Sequence, residues 1–205
     1  MKLFPLVALT AVVATPAFAQ EARQLNAHEH GVGQLDIAFD GDQIAMELHA
    51  PGADIVGFEY GAKSTEDRAA VDAAVAALTK PLDLFVLAKA AGCIIVNAIA
   101  GLESEEDHDA HDDGHDDDHA AEEDGHDDHA DEGHEDHADE ADHTEFHAEY
   151  LLTCADPSVM TDITFAYFDA FPNALEVEVK VISDTGATSF EVERDAPTLD
   201  LRGMF

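Results

Sequence analysis

The sequence predicts an α+β fold: mainly antiparallel sheet of about seven strands, one main helix, and a long disordered His/Asp/Glu-rich insert carried in a hairpin. Three observations point there. Short runs of alternating apolar and polar residues recur from Leu35 to Leu201, punctuated by Gly, Asp and Pro. One stretch, after Ser64, combines helical spacing with a capping signal. Residues 103–145 hold 23 of the 46 acidic residues and nine of the 13 histidines, with no Lys or Arg and no large apolar side chain. Such a segment has nothing to bury, so it cannot offset the entropy of ordering itself.

The elements follow in order. Met1 to Ala19 has a basic residue at Lys2, an apolar run from Leu3 to Val13 and the small-x-small site Ala17-Phe18-Ala19. It reads as a cleavable signal peptide (1–19), which predicts a periplasmic mature chain with no membrane span after cleavage. Residues 20–205 form one metal-binding domain, with the insert at 103–145 inside it; outside the signal and the insert about 140 residues remain, the size of one ordinary domain. After Gln20 to Asn26, a flexible terminus, His28-Glu29-His30-Gly31 leads into a hairpin. Leu35, Ile37 and Phe39 alternate, Asp40-Gly41 turns, and Ile44, Met46 and Leu48 alternate again. His28 and His30, two apart, point to one side of an extended segment and read as candidate metal ligands. His49 reads as structural, with a ligand role if neighbouring strands bring it to that pair. Glu59 is open between metal ligation and capping a backbone group.

Ser64-Thr65-Glu66-Asp67 opens a helix through about Leu78, whose Val71, Val75 and Leu78 face a core. Pro81 stops it, and Leu82 to Leu87 form an apolar link. Gly92 to Ala100 reads as a buried strand and Phe146 to Cys154 as its hairpin partner. The insert is then a loop of more than forty residues between them. Cys93 and Cys154, the two cysteines, pair as a disulfide in an oxidising compartment and close the base of that hairpin if they face each other. A thiolate metal pair would need reducing conditions. Alternation then continues through Ile163 to Tyr167, a turn at Asp169 to Asn173, Leu175 to Val181, Phe190 to Val192, and Leu199 to Leu201.

Inside the insert, His108, His111, His115 and His119 follow at steps of three, four and four; His126–His129 and His134–His137 are steps of three. On a helical turn such steps stack imidazoles on one face; in an extended chain they still let two or three donors wrap one ion. With His143 and His147 these are candidate metal ligands. Imidazole suits zinc, copper and nickel, and carboxylates concentrate any cation. Neutral imidazole is the ligand, so affinity falls as pH drops through the histidine range, shifted upward by the surrounding carboxylates. The donor types leave zinc, copper and nickel all open, so copper or nickel sequestration is the alternative to zinc binding.

A net charge of −37 makes nucleic acid and anionic membrane surfaces poor partners and metal cations good ones. The chain is half the length a two-lobed solute-binding subunit needs. It carries no HExxH pattern, no phosphate loop and no nucleophile–base–orienter set, so it is not expected to be an enzyme.

His28-Glu29-His30-Gly31 opening the first strand, Pro51 through Gly57-Phe58-Glu59, the strand carrying Cys93, the insert, His147-Ala148-Glu149-Tyr150 leading to Cys154, and the Phe168 to Pro172 turn occur in a characteristic order. In that order, over essentially all of the mature chain, the sequence resembles the ZrgA-like family of periplasmic zinc-binding proteins. The resemblance implies a non-catalytic envelope protein that helps the cell acquire, buffer or deliver zinc, with a zinc import system component as candidate partner. Tyr60 stands where that pattern would place a histidine after Phe58-Glu59.

Overall fold

The computed structural model describes residues 30–104 and 143–205. The expected signal peptide, His28 and the insert histidines His108, His111, His115, His119, His126, His129, His134 and His137 lie outside the described residues, as does the expected disorder of the insert. Described are strands β1 (Val32–Asp40), β2 (Gln43–Pro51), β3 (Phe85–Leu87), β4 (Ile94–Ser104), β5 (Thr144–Thr153), β6 (Asp162–Phe165), β7 (Glu176–Ser183), β8 (Gly186–Glu193) and β9 (Thr198–Asp200). Helices are α1 (Gly52–Ile55), α2 (Thr65–Leu78), α3 (Pro81–Leu84) and α4 (Tyr167–Ala170). The α+β class and the single substantial helix are therefore as the sequence predicts.

Six strands form one sheet in the order β4-β5-β2-β1-β7-β8, and three form a second in the order β3-β6-β9. Alternation decides the layering. On the large sheet Leu35, Ile37, Ile44, Met46, Leu48, Phe146, Tyr150, Leu152, Val177, Val179 and Val181 all turn to one face and are buried. Each fully buried side chain of this kind contributes about 1.5–3 kcal/mol. The small sheet joins that core through Phe85, whose ring centroid lies 5.2 Å from Phe165, 6.0 Å from Tyr167 and 6.3 Å from Tyr150.

The helix starts where its sequence says it should. The Ser64 hydroxyl accepts from Asp67 N at 2.9 Å, and the Asp67 carboxylate accepts from Ser64 N at 2.9 Å, a reciprocal capping box. Leu78 is fully buried, while Val71 and Val75 pack against the core from its edge.

Four features differ from the sequence expectation. β4 is not a buried strand: it is an edge of the large sheet, with Ile94, Ile95, Val96 and Ile99 exposed and a bulge between Ile95 and Asn97. Apolar content alone does not separate a two-faced buried strand from an edge one. The hairpin arms also run further than their apolar residues, so Glu103 pairs with Glu145 and Ser104 with Thr144 inside the ladder. Pro81 opens a one-turn helix, and the apolar link beyond it contains β3, paired to β6. Finally, β1 and β7 pair in parallel within an otherwise antiparallel sheet, a long-range pairing that no local pattern announces.

Cys93 and Cys154 form a disulfide across a sequence separation of 61, at the end of the β4–β5 hairpin away from the insert. Closing a loop of that length stabilises the fold by about 4 kcal/mol in the chain-entropy model. Reduction should therefore lower the urea-unfolding free energy by up to about 4 kcal/mol, and a Cys93→Ser/Cys154→Ser variant should show no further response to reductant. A wild-type unfolding curve unmoved by reduction would contradict the bridge.

Candidate metal centre

The face of the large sheet turned away from the core carries the chemistry. Because side chains alternate, Glu47 and His49 on β2 share that face with Glu145, His147 and Glu149 on β5, with Glu103 on β4, and with Asp36 on β1. Register then sets the partners: His49 stands opposite His147, Glu47 opposite Glu149, and Glu103 opposite Glu145. The two imidazoles stack with centroids 4.6 Å apart and ring planes 24° apart.

Glu47 joins them. Its Oε1 lies 3.1 Å from His147 Nε2 and 3.3 Å from His49 Nε2. One donor atom from each of these three residues falls within 4.8 Å of the others. A tetrahedral zinc with bonds near 2.0–2.1 Å has ligand–ligand edges of roughly 3.3 Å, so the two imidazole-to-carboxylate separations already match. Glu149 Oε1, 3.8 Å from His147 Nε2, borders the same point.

Behind each ring stands a second carboxylate. His49 Nδ1 is 3.3 Å from Glu145 Oε2, and His147 Nδ1 is 3.2 Å from Glu103 Oε1. A carboxylate on the remote nitrogen fixes the tautomer that leaves Nε2 free to bind a metal, and raises its basicity. The His147 side chain is only 10 % exposed, so its orientation is held by packing as well as by hydrogen bonds. Two imidazoles and one carboxylate make an N2O donor set that suits zinc and other borderline divalent metals.

The electrostatics agree with the geometry. The hydrogen bond to Glu145 holds the His49 pKa above its ordinary value, outweighing burial; Glu145 and Glu47 charge add to the shift. Burial alone would raise Glu47, but hydrogen bonds and charge from His49 and His147 win and hold it below the usual range. Across the rest of the face, Glu178, Glu191 and Asp36 surround Lys180, so the surface favours cations.

Of the residues the sequence singled out, the structure brings His49 and His147 together on the sheet and sets His30 and His143 beside Glu59, with His30 Nε2 at 2.9 Å and His143 Nδ1 at 3.2 Å from its carboxylate. Glu47, Glu103, Glu145 and Glu149 were not singled out as metal-site residues. Their signal was present: His143-x-Glu145-x-His147-x-Glu149 repeats a ligand type at every second residue, the period of one strand face.

The fold is α+β, and on the acidic outer face of its large sheet one imidazole–carboxylate set converges closely enough that it could hold a metal ion. The chain belongs to the ZrgA family of zinc uptake proteins, whose family model matches residues 27–201. Its function is thus tied to zinc, in agreement with the resemblance. Among curated proteins no sequence matches the chain. Among the described residues no helix is long and apolar enough to cross a membrane.

The raised His49 pKa has a measurable sign. In the metal-free protein the His49 ring should titrate above about 6.5 by NMR, and Glu145→Gln should bring the midpoint down. The stability this group contributes is complete below about 6.5 and is lost as pH rises through the higher folded-state value. A midpoint unaffected by Glu145→Gln would contradict the assigned cause.

Proposed function

We propose that the protein is a periplasmic zinc-capture protein that acts by binding rather than catalysis. Zinc is held at Glu47, His49 and His147, and the histidines from His108 to His143 collect the ion. The observation that carries this reading is the pair of stacked imidazoles sharing the Glu47 carboxylate while Glu145 and Glu103 stand behind them. Membership of a zinc uptake family supports the choice of metal, and the signal-like residues 1–19 support the compartment.

Three protein ligands with one open position favour exchange over permanent retention, which suits buffering and delivery to an import component. The insert leaves and re-enters the domain beside this centre, since Glu103 and Glu145 are both its flanking residues and the carboxylates behind the imidazoles.

Competition of the full chain against a chromophoric zinc chelator tests the assignment. His49→Ala/His147→Ala should remove the tightest zinc component and leave the weaker ones. Glu103→Gln and Glu145→Gln should each weaken that component by about 10–100-fold. A tight component that survives the double histidine substitution would sink the assignment. For the role, cells expressing the same double variant should grow less well under zinc chelation than cells with the wild-type chain; equal growth would argue against acquisition.

A further inference from the structure

The two edges of the six-stranded sheet are not alike. β8 closes one side and exposes Ala187, Thr188, Ser189 and Glu191, all short or acidic. β4 closes the other, and there Ile94 is 61 % exposed, Val96 56 % and Ile99 51 %, with Ile95 exposed as well. Large aliphatic side chains gathered on one strand mark a contact surface, whereas singly scattered ones need no explanation.

β4 is also open along its backbone. Among the described residues, no backbone hydrogen bond reaches Ile94 to Leu102 from outside the ladder with β5. Helices α2 and α3 pack beside the strand, yet leave these side chains in solvent. Natural edge strands are blunted by Lys, by Pro, by shortness or by bulges. β4 is 11 residues long and holds no Lys, Arg or Pro. Its one such device is the bulge between Ile95 and Asn97, toward the disulfide end. From Asn97 to Leu102 the ladder is regular, so the far side of the strand presents a template of N–H and C=O groups.

The composition of the chain decides what fits there. Residues 105–142 hold no large apolar side chain and no Lys or Arg, and from Gln20 to Glu29 the only large apolar residue is Leu25. Neither segment supplies an apolar cover. A second copy would bring another net charge of −37 to the same place, and β4 has no cation to answer its Glu103. A cationic partner has the complementary charge. The acidic run begins at Glu103, which pairs with Glu145, and Glu149 stands opposite Ile99.

We propose that β4 is a docking edge on which an extended segment of another protein adds as a further strand, apolar opposite Ile94 to Ile99 and carrying Lys or Arg toward Glu103. In this mode main-chain pairing supplies affinity and the side chains select the partner. Only β4 then separates the partner from the strand that carries His147, and Gly101, opposite His147, puts no side chain between them. The proposal needs no bound metal and stands apart from the zinc reading.

The test uses the zinc-free, isotopically labelled full chain and a capped synthetic peptide, Lys-Val-Val-Thr-Val-Val-Lys, which reads the same in both directions. At ten times its dissociation constant, the peptide should slow hydrogen exchange of the β4 amides not bonded to β5 roughly ten-fold, and leave β8 unchanged. Peptides with Glu for Lys, or with Ser for Val, should each bind about ten-fold more weakly. Ile94→Thr/Ile99→Thr, which keeps β-branched residues on the strand, should weaken binding to a similar degree. Perturbation that falls on residues 105–142 and spares β4 would overturn the proposal, as would equal binding of the Glu peptide. It is equally overturned if the β4 amides are already protected in the peptide-free chain, because the edge is then covered by the chain itself. A dimer in sedimentation that Ile94→Thr/Ile99→Thr dissolves would assign the edge to a second copy instead. The wild-type chain with the three peptides decides the matter even if the variant does not fold.

Discussion

The antiparallel register of β2 against β5 is the constraint on which the rest depends. With His49 opposite His147, every second residue on either side is forced outward and every intervening one inward. The same register that stacks the imidazoles therefore buries Leu48, Phe146 and Ala148. A slip of one residue would turn the ligands into the core and the core into water. The hydrophobic effect, acting on residues that bind no metal, is what holds the donor atoms a few ångströms apart. This is economical because the centre then needs no loop of its own to be ordered.

Placing such a centre on strands has an electrostatic cost. Glu47, Glu103, Glu145 and Glu149 crowd one patch of a chain whose net charge is already −37. Like charges at this spacing oppose folding unless something compensates. Part of the compensation is internal, since each of His49 and His147 lies beside two or more of these carboxylates. A bound dication would supply the rest and would then couple metal binding to the stability of this face.

Much of the fold was legible in the sequence, and the parts that were not share a cause. The β1–β2 hairpin, the Ser64–Asp67 cap, the long helix α2 and the joining of Cys93 to Cys154 were all written in local patterns: alternation, a capping box, and two cysteines flanking one insert. The parallel β1–β7 pair and the edge position of β4 depend on which strands meet across the chain, and neither leaves a local trace. The candidate metal centre was half legible. Histidine composition announced metal, but it drew attention to the most histidine-dense stretch. Glu47 and Glu103 become interpretable only once β2, β4 and β5 are side by side. His49 was noticed, yet the partner it meets is His147, about a hundred residues further along.

The hairpin bounded by the Cys93–Cys154 bridge at one end and the Ser104/Thr144 pair at the other has a consequence for how the family can diverge. Both ends of the insert are already held by the sheet at Ser104 and Thr144, so the length of chain between them bears on the described domain through the entropy of loop closure. That entropy grows with the logarithm of length, about 0.6 kcal/mol for each doubling. Repeats of His and Asp can accordingly be gained or lost by replication slippage with little effect on the scaffold.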